Sequence, residues 1–147
     1  MRMVVLLVLA GGACGGDDAL GIWKMNPRRS AFTAERAPRN FTLRIERHAQ
    51  GEVFTVERTE QDGRSSSDST ILFFDRKPRE YQDQDCRGTQ SSQRLDNRTV
   101  EILRTCEAGA WTRVIRRVNT NGAPIVEVSG RRADGRPIET RLVLEKE

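Results

Sequence analysis

Three turn dipeptides, Asp62-Gly63, Asn121-Gly122 and Asp134-Gly135, cut this chain into short stretches that no long helix can span. An Asx-Gly pair between two half-apolar runs suits a tight hairpin, whose two central residues take positive φ. The runs it separates have strand character. Phe41, Leu43 and Ile45 alternate with Thr42, Arg44 and Glu46, so one face is apolar and the other polar. Gln50-Gly51 ends that run, and further runs follow at 53–59, 70–74, 99–106, 111–118, 123–128 and 138–144. Segments 81–84 and 89–95 are the least regular, and Ser65-Ser66-Ser67 reads as a flexible loop. Residues 111–118 place Trp111, Val114, Ile115 and Val118 at helical spacing, but flanking turns and short length favour a strand. One helical turn is expected after Asn26-Pro27, since Pro suits a first helical position.

Turns at roughly 12-residue spacing indicate an all-β sandwich or barrel of successive hairpins. Each strand offers few inward apolar positions, so an open sheet this polar would carry exposed edges. Closure removes them. The expected fold is an antiparallel up-and-down β-barrel of about 8–10 strands with little helix, roomy enough for side chains and one small ligand.

The N-terminus carries an address. Arg2 precedes an unbroken apolar run from Met3 to Ala10, then Gly11-Gly12-Ala13-Cys14-Gly15-Gly16 and Asp17-Asp18. A charged start, a short apolar core and a small-residue exit have the layout of a secretory signal over residues 1–13. The run is far shorter than the roughly 20 residues needed to cross a bilayer as a helix. Ala13-Cys14 resembles a bacterial lipobox, with Gly11 where such boxes usually carry Leu. Two readings follow: acylation of Cys14 as the new N-terminus, or ordinary cleavage that leaves a soluble periplasmic protein. Cysteine parity favours the first, because the chain has only Cys14, Cys86 and Cys106, and a lipidated Cys14 leaves an even pair. Residues 14–19 then form a tether, and 20–147 form one domain.

Cys86 and Cys106 lie 10 residues either side of Asp96 (96 − 86 and 106 − 96), so a hairpin turning there brings them opposite or one diagonal step apart. A disulfide is expected; two separate buried thiols are the alternative.

The 25 basic and 21 acidic side chains are interleaved, giving a net charge of +4 without a clustered basic face, which argues against a nucleic-acid partner. His48 has no companion ligand at metal spacing, so no metal is expected. The serine run lacks a nucleophile-elbow context, and Asp83 and Asp85 read as a solvated edge. No enzyme chemistry and no cofactor are expected.

Leu20-Gly21-Ile22-Trp23 carries the Gly-x-Trp signature and resembles lipocalins and other calycin-type barrels. The longer string Leu20-Gly21-Ile22-Trp23-Lys24-Met25-Asn26, the run Asn97-Arg98-Thr99-Val100-Glu101 and the closing Leu144-Glu145-Lys146 are similar to uncharacterised secreted bacterial lipocalin-like proteins. The resemblance implies that Trp23 plugs the closed end of a barrel, with Arg141 or Lys146 as the cation over its ring. Phe41, Leu43, Phe54 and Phe73 are then candidates to line a ligand cavity. The expected function is an exported envelope lipoprotein that binds or carries a small apolar ligand. The alternative is a structural or interaction lipoprotein whose barrel is filled.

Overall fold

Alternation of apolar and polar side chains produces eleven strands, all paired antiparallel: β1 (Gly21–Met25), β2 (Ala31–Thr33), β3 (Asn40–His48), β4 (Gly51–Thr59), β5 (Ser65–Leu72), β6 (Arg79–Gln82), β7 (Arg87–Asp96), β8 (Thr99–Cys106), β9 (Trp111–Val118), β10 (Pro124–Arg131) and β11 (Pro137–Lys146). The computed structural model describes residues 19–33 and 36–147. The expected signal peptide, Cys14 and the expected tether up to Asp18 lie outside the described residues.

The strands form one curled sheet in the order β5-β4-β3-β1-β11-β10-β9-β8-β7-β6, the expected up-and-down barrel. There are ten positions in this order although the described residues form eleven strands. β1 and β2 lie in succession along β11, interrupted at Asn26–Ser30. There the Asn26 side-chain oxygen accepts the backbone N–H groups of Arg28 and Arg29 at 3.0 and 3.2 Å. The expected helical turn is therefore a single capped turn, and no described residue is helical.

Four hairpins share one turn geometry. In the β9–β10 turn the N–H of Asn119 donates to Ala123 O at 2.9 Å, and that of Gly122 donates to Asn119 O at 3.1 Å. Glu60–Arg64, Cys106–Ala110 and Arg132–Arg136 repeat the pattern. Only the glycine takes a left-handed φ, 84° at Gly122, which corrects the expectation of two positive φ values. These are three-residue loops with glycine at the left-handed position.

The serine run also departs from expectation: Ser65 to Ser67 begin β5, where Ser66 pairs with Arg58 and Ser67 with Glu57. A loop reading failed because polar residues suit an edge strand, where composition discriminates weakly. Phe73 and Phe74 fall beyond that strand. In β9 the apolar residues divide between faces, Val114 and Val118 inward and Trp111 and Ile115 outward, which accounts for their helix-like spacing.

The interior is packed. Trp23, Met25, Phe41, Leu43, Ile45, Phe54, Leu72, Val100, Ile102, Val114, Val118, Val126, Leu142 and Leu144 belong to one buried cluster contributed by strands all round the barrel. The start of β1, the end of β11 and the β3–β4, β7–β8 and β9–β10 turns meet at one end, near Trp23. The β4–β5, β8–β9 and β10–β11 turns lie at the other. There Cys86 and Cys106 form a disulfide with Cα atoms 5.2 Å apart. Gly88, not Cys86, is the register partner of Cys106, so the bridge takes the diagonal step.

Candidate functional site

The ladder of backbone hydrogen bonds stops between β5 and β6, the two edges of the curled sheet. Side chains span part of this seam. Gln90 on β7 donates through Nε2 to Thr70 Oγ1 on β5 at 2.9 Å, and its Oε1 accepts Arg104 Nε at 2.9 Å. Toward the Trp23 end the segment after β5 crosses over to β7: the N–H of Phe74 donates to Ser92 Oγ at 3.0 Å and that of Arg76 to Ser92 O at 2.9 Å. Phe74 and Arg76 hold φ of 57° and 64°, a conformation costly for non-glycine residues. The crossing fixes their neighbour Phe73 on the outer side, while Phe74 packs against the core.

A cleft of about 340 Å³ lies along the seam. Val53, Ile71 and Phe73 give it an apolar wall; Ser69, Thr70, Ser91 and Ser92 supply hydroxyls. Lys77 and Arg79 bring positive charge to it. The Arg79 guanidinium sits 3.8 Å from the centre of the Phe73 ring and donates twice to Asp75, at 2.8 and 2.7 Å. These bonds hold the Asp75 carboxyl well below the usual range. Arg79 is thus paired with Asp75, and Lys77 and Glu80 are the other charged residues of the cleft.

A polar chain lines the wall next to the seam. Arg104 stacks on Tyr81 at 4.5 Å, and the Tyr81 hydroxyl donates to Asp83 Oδ2 at 2.5 Å. Burial and that hydrogen bond push the Tyr81 phenol above its ordinary range, against the pull of Arg104. Burial, then the charges of Asp83 and Asp85, likewise raise the Asp68 carboxyl. Asp83 also accepts the backbone N–H groups of Asp85 and Cys86 at 2.8 and 2.7 Å, so it shapes its own loop rather than edging it.

The expected site residues separate accordingly. Phe41, Leu43 and Phe54 pack within the interior cluster, and of the four only Phe73 faces the cleft. Trp23 is buried at its end of the barrel, with Nε1 donating to Ala19 O at 2.8 Å. The cation over its ring is Lys146, with Nζ 5.9 Å from the centroid. Arg141 is not that cation: it is exposed, with Glu127 and Ala31 as register partners, because β11 reaches the Trp23 end only at its last residues. His48 Nδ1 accepts the Gln50 N–H at 3.0 Å and serves the β3–β4 turn. Sequence reasoning missed Lys77, Arg79, Gln90 and Thr70. Thr70, Arg79 and Gln90 are ordinary polar residues of three different strands and Lys77 belongs to the segment between β5 and β6, and only the position of the seam joins them.

No family model matches this chain, and no curated protein matches it. Twenty-eight chains of solved structures do match. One is a Schistosoma mansoni fatty acid binding protein in complex with arachidonic acid, with a TM-score of 0.55 and 11% identity over 89% of this chain and 100% of that one. The fold is therefore a calycin-like up-and-down barrel.

Proposed function

We propose that the protein is an exported, lipid-anchored barrel that binds a small, mainly apolar molecule with one polar end in the seam cleft. The observation that carries this reading is the cleft itself. It is a concave surface of about 340 Å³ lined by apolar Phe73, Ile71 and Val53 together with Lys77, Arg79, Glu80 and a group of hydroxyls. That volume lies within the usual range of small-molecule sites, about 300–1,000 Å³. The solved neighbour's bound fatty acid supports the same class of ligand, although the packed interior of this barrel moves the site to its flank. No catalytic step and no cofactor belong to this reading, and Cys14 is the proposed point of lipid attachment.

The packed interior also favours a second reading, an interaction lipoprotein with a filled barrel and no ligand. Titration with fatty acids of graded length, fatty amines and an environment-sensitive dye separates the two. Micromolar binding that weakens at least about tenfold in Phe73→Ala supports the cleft, since truncating a large apolar contact removes more than 1.4 kcal/mol. Indifference to every probe overturns it in favour of the filled barrel.

A further inference from the structure

The seam cleft draws its lining from parts of the chain that differ in chemistry. Val53 of β4, Ile71 of β5 and Phe73 just beyond it are apolar. Lys77, Arg79 and Glu80 come from the segment leading into β6 and from β6 itself, and Gln90, Ser91 and Ser92 from β7. Val53 and Ile71 are register partners, which sets them side by side on the outer face.

Most of the uncharged polar groups in the cleft already hold partners within the fold. Ser69 Oγ lies 2.7 Å from Thr55 Oγ1, Thr70 Oγ1 accepts Gln90 Nε2, Gln90 Oε1 accepts Arg104 Nε, and Ser92 Oγ accepts the Phe74 N–H. Arg79 is bound to both Asp75 oxygens and stacked on Phe73. That leaves Lys77 and Glu80 as the charges that meet a ligand, and they have opposite signs. Both are exposed, and Arg76, between them and Asp75, lies outside the cleft. Three residue steps (80 − 77) span at most about 11 Å, so the two long side chains can reach the two ends of one small head group. A head of single charge meets conflict here. A carboxylate drawn to Lys77 is repelled by Glu80, and an amine is treated the opposite way.

We propose that the cleft selects a zwitterionic ligand: an apolar group joined to a head with both an ammonium and an anionic oxygen group, the ammonium at Glu80 and the anion at Lys77. This rests on the cleft reading given above and narrows its ligand class. Head groups of the phosphoethanolamine type and free apolar amino acids share this chemistry.

The test uses the full chain, isolated from its own cells and kept in amphipol so that no detergent competes for the cleft. Calorimetric titration compares two matched pairs of probes that differ by one ammonium: α-aminooctanoate against octanoate, and octanoyl-lysophosphatidylethanolamine against octanoyl-lysophosphatidate. In at least one pair the ammonium should tighten binding about threefold, the size of effect that one solvent-exposed ion pair supplies. The pair that responds assigns the source, free amino acid or lipid head group. Glu80→Gln should abolish that gain, and Lys77→Gln should weaken both members of the pair about threefold. An ammonium that brings no gain in either pair, a gain that survives Glu80→Gln, or an affinity untouched by Lys77→Gln overturns the inference. Phe73→Ala reads the cleft separately. Probes that bind and weaken in Phe73→Ala without any gain from the ammonium overturn the zwitterion alone, whereas four probes that do not bind overturn the cleft and the zwitterion together.

Discussion

Glu52 on β4 and Arg116 on β9 meet across the interior, although four strands separate them along the sheet. Arg116 Nη2 donates to Glu52 Oε1 at 3.1 Å, and Nη1 lies 2.8 Å from Oε2. Arg116 is 1% exposed and its Nε has no hydrogen-bond partner, while Arg94 reaches the same carboxylate at 3.2 Å. Two cations thus share one buried anion, and the pair joins opposite walls near the Trp23 end.

Removing the anion strands the buried guanidinium. Glu52→Ala should lose about 3–5 kcal/mol in urea unfolding, as expected when one partner of a buried pair is deleted. The double variant Glu52→Leu/Arg116→Met should recover most of the loss, because apolar groups of similar volume replace both charges. A double variant no more stable than Glu52→Ala would mean that the pair does more than offset its own desolvation.

Trp23 and Lys146 should separate in energy. Trp23→Ala removes a large buried side chain and should lower stability by about 3–5 kcal/mol. Lys146→Met should change it by less than about 1 kcal/mol, since a distant, exposed cation over a ring contributes little. Denaturant midpoints measure both.

Asp68 and Glu101 should respond to pH with opposite sign. Burial and neighbouring carboxylates raise Asp68 in the fold, so its ionised form opposes folding at neutral pH. Asp68→Asn should add up to about 0.5 kcal/mol at pH 7, and the gain should vanish once the pH falls below the ordinary carboxylate value. Glu101 is lowered by hydrogen bonds from Gln93 and Arg113, both 2.7 Å long. Glu101→Gln should lose about 1 kcal/mol at pH 7, and that loss should shrink as the pH falls through the lowered folded value. Unfolding curves between pH 3 and 8 check both signs.

Reduction of Cys86–Cys106 should lower stability by about 3 kcal/mol in the chain-entropy model for a loop of this size. Because the bridge fixes the turn between β6 and β7, amide exchange should rise first in β6, the four-residue edge strand. Uniform loss of protection across the barrel would show that β6 depends on the bridge no more than the rest.

Strand composition and turn glycines made the barrel legible in the sequence. Thr99–Cys106 and Trp111–Val118 have the expected limits because Asx-containing turns and glycine bound them closely. The disulfide was legible for the same reason, since its two cysteines straddle one turn. The cleft was not. Ser65 to Ser69 lack apolar alternation, so nothing local marks β5 as an edge strand, and nothing in Gln90 or Thr70 announces that they meet across a gap. The cation over Trp23 depended on register: Arg141 and Lys146 differ by five residues, so they fall on opposite faces of β11, a distinction set by pairing rather than by composition.

The seam also decides where this chain can be cut. Glu147 N–H donates to Ile22 O at 3.1 Å, so the start of β1 and the end of β11 lie side by side within the continuous ladder β3-β1-β11-β10. Among the described residues the two edges of the sheet, β5 and β6, follow one another in mid-chain. Joining residue 147 to residue 20 and opening the Lys77-Pro78 bond would make a circular permutant whose new ends lie at the sheet's natural edges. Such a protein would keep every strand pairing, and its first and last strands, β6 and β5, would be those that already have a neighbour on one side only.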